Sequence, residues 1–509
     1  MSHSESSPLL GPVQVESGML SGVAGNDPSI TVFKGVPYAA PPVGKLRWSA
    51  PQPPQHWEGL RKADRFGPIC PQYVPKLGTF YGDEFYLVEE EQSEDCLYLN
   101  IWTGARSSEE RRPVMVWFHG GGFVEGSGSL ASFHGEMLAQ KGVVLVTVNY
   151  RLGVFGFFAH PALAASSENK TSGNYGLLDQ IASLRWVRDN IAAFGGDPEN
   201  VTIFGQSAGA MSVYLLQISP LAKGLFKRVI AQSGSAFSFG PMIRTTSADA
   251  YKRCEELAAS WGASSAEELR SLPTETLLCQ SIDQYRAARF GPIADGWFVG
   301  EEIAKPIIDG EVNARSLMVG ATADEWTPMT AAGAAPRAEF EKRIRKQYGE
   351  LAERYLELYP FEGEAQEVHT QIAGGNDLMS AGMRYWAHLH DTYAPGQAYL
   401  YFFNRRLPGR NSEHYGAFHS GDLYYVFGTL NSTERPWSEA DYALADAMTS
   451  YWSNFAATGN PNGAGLPEWP AASAQSDQVI YLGESVQAGP CPRPEQIAFH
   501  NEIIRKNNS

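Results

Sequence analysis

Short apolar runs alternate with stretches of helical periodicity along most of the chain. Pro113–His119, Val143–Tyr150, Val201–Phe204, Arg228–Gln232, Ser316–Val319 and Ala398–Phe403 read as strands. Val143-Val144-Leu145-Val146-Thr147-Val148 is apolar or β-branched throughout, as expected of a strand covered on both faces. Leu177, Ile181, Leu184 and Ile191 recur at helical spacing in Leu177–Phe194, which stops at Gly195-Gly196. This alternation predicts an α/β fold with a large, mostly parallel central sheet flanked by helices. The first hundred residues carry more turn signals and predict an antiparallel start to that sheet. Between about 326 and 397 the pattern changes. Ala338–Tyr359 and Gly363–Tyr393 have helical character and no strand-like run, which predicts a helical cap inserted in the domain. Ala331–Pro336 reads as a mobile link into it, and Leu430–Pro436 as another loop. Glu439–Ala457 reads as a helix ending at the turn Gly459-Asn460-Pro461.

The chemistry enters at Gly205-Gln206-Ser207-Ala208-Gly209. This G-x-S-x-G follows the run Val201–Phe204 directly and opens a helical stretch, the context the pattern requires. At a sharp strand-to-helix turn, side chains two residues either side of the serine would collide, so glycines stand there. The turn presents the Ser207 hydroxyl to a base and leaves the Ala208 N–H at a helix start, free for an anion. In a chain with 51 glycines the pattern alone arises by chance. Three distant segments change that.

His119-Gly120-Gly121-Gly122-Phe123 follows the run Val114–Phe118, and a glycine run after a strand offers bare N–H donors to an oxyanion. Gly320-Ala321-Thr322-Ala323-Asp324-Glu325 follows Arg315–Val319, and either adjacent acid would serve to orient a histidine. Tyr415-Gly416-Ala417-Phe418-His419-Ser420-Gly421-Asp422 comes last, completing the order Ser…Asp/Glu…His of α/β-hydrolases, with His414 a nearby competitor for the base.

With these segments the chain resembles the type-B carboxylesterases of the cholinesterase-like esterase/lipase family over nearly its whole length. Phe194–Gly209 resembles the family's serine signature, and Glu94-Asp95-Cys96-Leu97-Tyr98-Leu99-Asn100 its second signature. Phe33–Trp48, Asn149-Tyr150-Arg151, Gly173–Gln180 and Gln232-Ser233-Gly234 are similar too. The resemblance implies the α/β-hydrolase fold. It makes Ser207 the nucleophile, Glu325 the triad acid, His419 the base, and Gly121, Gly122 and Ala208 the oxyanion donors. It also implies buried ion pairs Arg47–Glu94 and Arg151–Asp179, and a Cys70–Cys96 disulfide closing a loop near the site entrance. Such a bond would stabilise by roughly 3 kcal/mol.

Two departures narrow the substrate. Cholinesterases carry a glutamate before the serine, where this chain has Gln206. They hold choline on a tryptophan in the loop before Glu94, where this chain has Tyr86 and no tryptophan between Cys70 and Cys96. The closer likeness is the bacterial para-nitrobenzyl-esterase branch. Phe123, Trp326, Phe237, Phe290 and Tyr415 are the candidate pocket aromatics, and an apolar gorge favours neutral hydrophobic esters.

Length and charge set the remaining bounds. The 509 residues suggest several domains by length alone, but one site must gather residues from Ser207 to His419, so a single catalytic domain spanning 1–509 is expected. The net charge of −16 argues against a nucleic-acid partner. The acids from Asp83 to Asp95, including Glu89-Glu90-Glu91, read as a solvated loop, or as a rim attracting cations. Of the five cysteines, Cys254 and Cys279 are a further possible pair, and the odd number leaves a free thiol. No zinc-like C-x-x-C spacing is present, and neither metal nor organic cofactor is implied. Met1–Pro12 has no apolar h-region, and no apolar stretch is long enough to span a membrane, so a cytoplasmic location is the default unless the chain has been trimmed. A small-molecule ester is the expected partner and a monomer the expected state.

The leading reading is a serine carboxylesterase for small to medium aryl and alkyl esters. A variant would cleave a carbamate, an amide or a specialised natural ester such as a toxin conjugate with the same triad. A non-catalytic binding protein on this fold would normally lack a triad member, and none is missing. A lipase would need a lid, for which no clear signature exists.

Overall fold

The computed structural model describes residues 9, 11–73, 80–84, 91–238, 245–279, 290–330, 333–361, 367–473, 476 and 478–508. Tyr86, Glu89, Glu90, the start of the Ala331–Pro336 link and the first turn expected at Gly363 lie outside these residues. The strands in chain order are β1 (Val13–Val15), β2 (Gly18–Ser21), β3 (Val23–Ala24), β4 (Thr31–Pro37), β5 (Leu60–Lys62), β6 (Tyr98–Thr103), β7 (Arg112–Phe118), β8 (Val144–Val148), β9 (Gly196–Gln206), β10 (Arg228–Gln232), β11 (Ser316–Thr322), β12 (Ala398–Phe403), β13 (Ala471–Ala472), β14 (Gln478–Leu482) and β15 (Val486–Pro490). Among the described residues β1, β2 and β5 form a small sheet. The other twelve form the main one, in the order β15-β14-β12-β11-β10-β9-β7-β8-β6-β4-β3, with β13 against β12.

The centre of the main sheet, from β8 through β7, β9, β10, β11 and β12 to β14, is parallel. Its edges are antiparallel, at β3–β4–β6–β8 on one side and β14–β15 on the other. The apolar runs explain the arrangement. Successive side chains in a strand point to opposite faces. Val114, Val116 and Phe118 of β7 enter one core with Val144, Val146 and Val148 of β8, while Met115, Trp117 and Leu145 enter another core across the sheet. The first core is covered by the helices Tyr175–Asn190 and Ala208–Ile218, the second by Glu439–Thr458. A strand with two buried faces has no polar side to alternate with.

Between β11 and β12 the described residues are helical, at Thr327–Thr330, Arg337–Tyr348, Ala352–Leu358 and Glu367–Tyr393. Phe340, Ile344, Tyr355 and Tyr359 from this block pack with Phe499 of the helix Pro494–Lys506 into a third cluster.

Both expected ion pairs are present. Arg151 Nε and Nη2 bond Asp179 Oδ2 and Oδ1 at 2.8 and 2.7 Å, and both side chains are buried. Arg47 Nε donates to Glu94 Oε2 at 2.7 Å. Removing one partner of a buried pair strands the other charge. Asp179→Asn is therefore expected to lower unfolding stability by about 3–5 kcal/mol, measured by urea denaturation; an unchanged midpoint would contradict the buried pair.

The expected disulfide is not formed. Cys70, Cys96, Cys254 and Cys491 are all free thiols, and the Cys279 side chain lies outside the described residues. Cys70 and Cys96 do lie together, but as hydrogen-bonded neighbours. The bond to Cys70 and burial hold the Cys96 thiol well above the ordinary cysteine range, so it stays protonated. Cys70 Sγ also accepts the Leu152 N–H at 3.2 Å. Burial pushes the Cys254 thiol up to about 11.

Candidate active site

Each candidate catalytic residue stands just beyond the C-terminal end of a parallel strand, where open α/β sheets place ligands. His119–Gly122 follow β7, Ser207 follows β9, Glu325 follows β11 and His419 lies in the loop after β12.

Ser207 joins β9 to the helix Ala208–Ile218 with φ 57° and ψ −121°, a conformation L-residues rarely adopt. Its N–H donates to the Gln232 carbonyl at 2.9 Å, tying the turn to β10. The flanking glycines are steric necessities. A Cβ on Gly209 would lie 1.9 Å from the Phe118 carbonyl oxygen, and one on Gly205 would lie 2.4 Å from the Gly209 carbonyl carbon. Strand β7, the serine turn and the helix start therefore touch backbone to backbone. The same approach brings the glycine loop to the serine, since a Cβ on Gly120 would meet the Ser207 Cβ at 3.2 Å. Among the described residues, the N–H groups of Gly121, Gly122 and Ala208 donate no turn or loop hydrogen bond.

A backbone contact gives the two adjacent acids different surroundings. Asp324 and Phe418 form an isolated parallel bridge, in which Asp324 N–H donates to the Ala417 carbonyl at 3.0 Å. Asp324 Oδ2 accepts the Ala417 N–H at 2.8 Å. Asp324 thus clamps the two loops, and the next residue on each, Glu325 and His419, comes side by side. Glu325 Oε2 lies 2.5 Å from His419 Nδ1, while its Oε1 accepts the Thr322 N–H at 2.7 Å. Glu325 is buried and His419 partly open. His414 bonds Thr330 Oγ1 at 3.1 Å through its Nε2.

His419 Nε2 is met by the Gln206 side-chain nitrogen at 3.0 Å. That contact was not legible in the sequence, although the replacement of a family glutamate by Gln206 marked the position. A second buried acid is also close. Asp422 accepts from Gln232 Nε2 at 2.8 Å and Tyr401 OH at 3.0 Å, and burial raises its carboxyl to about 6.

The candidate aromatics divide among separate clusters. Tyr415 lies 4.3 Å from Phe80, next to Phe418. Trp326 donates its backbone N–H to Asn376 Oδ1 at 3.0 Å, and its indole lies against Gly375 of the helix Glu367–Tyr393. Phe123 is buried edge-on to Phe157 at 5.2 Å, with Gly291 beside it and Phe290 buried next in the chain. Phe237 packs edge-on to Tyr214 and Tyr385 at 5.4 and 4.8 Å.

Among the described residues no helix is long and apolar enough to cross a membrane.

Comparison with known proteins agrees with this architecture. Residues 11–500 match the carboxylesterase family. Para-nitrobenzyl esterase of Bacillus subtilis (strain 168) is 35% identical over 511 residues, covering 95% of this chain and 97% of the relative. Fumonisin B1 esterase of Sphingopyxis macrogoltabida is 34% identical over 495 residues, covering 93% and 86%. The solved structure of a thermophilic PNB esterase superposes with a TM-score of 0.81 at 34% identity, covering 96% of this chain and 99% of that one. With the α/β-hydrolase sheet and family likeness from end to end, the chain belongs to the carboxylesterase family and is a carboxylic-ester hydrolase.

Proposed function

We propose that Ser207 is the nucleophile, His419 the base and Glu325 the triad acid, acting on neutral small to medium hydrophobic aryl or alkyl esters. The observation that carries this reading is the 2.5 Å contact of Glu325 with His419 Nδ1 beside the strained serine turn. Ser207 Oγ attacks the ester carbonyl while its proton passes to His419 Nε2. The oxyanion is held by the N–H groups of Gly121, Gly122 and Ala208. Collapse breaks the acyl–oxygen bond, and the alcohol leaves with the proton from Nε2. Water, deprotonated by the same nitrogen, then releases the acid and frees Ser207. The Glu325 carboxylate keeps the Nδ1 proton facing it and stabilises the imidazolium as it forms.

Phe123, Trp326, Phe290, Phe237 and Tyr415 would supply the apolar lining, with the helices between 326 and 397 as a cap. Apolar contacts discriminate only modestly, so a broad ester range is expected. The name of the para-nitrobenzyl esterase relative supports aryl esters. That of the fumonisin B1 esterase relative favours a second reading, a specialised toxin ester. A para-nitrophenyl ester series from acetate to octanoate separates them. Hydrolysis peaking at a short or medium chain is the expected result. Failure at every length, with turnover of a toxin ester, would overturn the first reading in favour of the second.

A further inference from the structure

We infer that Gln206 is a positioning residue that occupies His419 Nε2 in the resting enzyme and transfers its amide to His119 when the Ser207 hydroxyl takes that nitrogen. The inference rests on the triad proposed above.

The proton positions follow from the contacts. Glu325 is an acceptor at His419 Nδ1, so the neutral imidazole carries its proton there and Nε2 is a lone pair. The group 3.0 Å from Nε2 is therefore the Gln206 NH2, donating. The nitrogen that must receive the serine proton is thus capped by the residue next to the serine.

A second acceptor stands on a cavity that Gln206 also lines. His119 Nδ1 is 2.8 Å from the Gly120 carbonyl and must donate to it, which leaves His119 Nε2 as a lone pair. That nitrogen is buried and, among the described residues, has no hydrogen-bond partner. Burial lowers the His119 imidazole to about 4, so it is a neutral acceptor at working pH. Its ring is held by stacking on Tyr150 at 4.5 Å. His119, Gly120, Gln206 and Ser420 line one cavity of ≈ 10 Å³, room for about one water molecule, so the amide and the imidazole border the same space. A buried acceptor left alone is costly, so the move that uncovers His419 also satisfies His119.

The consequence is a pH effect that differs between free and substrate-bound enzyme. A donor pairs with Nε2 only while that nitrogen is unprotonated, so the Gln206 amide competes with a proton there in free enzyme and not once the serine hydroxyl has replaced it. The other ionisable groups around the pair are Glu325 in contact, Asp422, which interacts with both, Asp324 and Tyr81, which interact with Glu325, and Glu125, which interacts with Tyr81. All are unchanged in a Gln206 variant.

The test compares wild type, Gln206→Met and Gln206→Glu in the pH profiles of kcat/KM and kcat for para-nitrophenyl acetate. The kcat/KM profile reports free enzyme and the kcat profile the bound forms. For Gln206→Met, which fills similar volume without a donor, the acid limb of kcat/KM should move up by about half to one pH unit. Its kcat limb should stay in place. For Gln206→Glu, which cannot donate and adds negative charge, both limbs should rise by about one unit or more. An unmoved kcat/KM limb in Gln206→Met, or two limbs that move together, would overturn the inference. Should the methionine variant not fold, an unmoved kcat/KM limb in Gln206→Glu would do the same. Full activity of Ser207→Ala would instead overturn the triad on which the inference rests.

Discussion

Ser207→Ala is expected to lower kcat/KM for para-nitrophenyl esters by about 10⁵–10⁶-fold, the scale seen when a serine nucleophile is removed, with no change in melting temperature beyond a degree or two. The two halves of this expectation have separate causes. The serine stands at φ 57° because the glycines around it let β7, β9 and the following helix meet backbone to backbone. Alanine also has a Cβ, so the strain is the same before and after. What disappears is the only atom at that turn able to form the acyl-enzyme. The N–H donors of Gly121, Gly122 and Ala208 would remain and support a small residual rate over water. Steady-state rates with melting curves read both halves. A variant that keeps a tenth of its activity would mean that the nucleophile lies elsewhere.

The second large effect separates two neighbouring acids. Glu325→Gln is expected to reduce kcat by about 10³–10⁴-fold, as when a triad carboxylate becomes an amide, and Asp324→Asn by less than about threefold. The asymmetry comes from hydrogen-bond bookkeeping. Glu325 Oε1 receives the Thr322 N–H and Oε2 faces His419 Nδ1. In glutamine the one carbonyl oxygen must serve Thr322, which turns the NH2 toward Nδ1. Nδ1 then becomes an acceptor, the imidazole proton moves to Nε2, and the lone pair that should take the serine proton is lost. Asp324 needs only to accept the Ala417 N–H, which an asparagine oxygen also does. Its buried carboxyl is already raised above the ordinary range by desolvation, so losing the charge costs little. Both variants are compared on one ester under saturation. Loss of activity in Asp324→Asn with Glu325→Gln intact would move the acid by one residue.

The parallel centre of the sheet was legible because a strand buried on both faces has to be apolar throughout, as the five residues Val114–Phe118 are. The elements that escaped the apolar pattern were short or half exposed. β14 and β15 at the sheet edge, and the small sheet of β1, β2 and β5, carry mixed faces that resemble ordinary loops. At the site, residue types and chain order marked the serine and the glycine loop as candidates and favoured His419 over His414. They left Asp324 and Glu325 equivalent, because the difference between them is made by a bridge to Phe418, ninety-four residues away from Asp324 along the chain. Cys70 and Cys96 were correctly paired in space and wrongly joined, since proximity of two buried thiols does not oxidise them. The contact of Gln206 with His419 depends on a side-chain rotamer, which no spacing encodes.

The central claim is that Ser207 carries the acyl group. It is tested most directly by inactivating the protein with a dialkyl para-nitrophenyl phosphate and mapping the adduct by tandem mass spectrometry. The account predicts one phosphoryl group per chain, located on Ser207, accumulating in step with the loss of esterase activity, and no labelling of Ser207→Ala. Labelling at another residue in step with inactivation, or inactivation without label on Ser207, would contradict it.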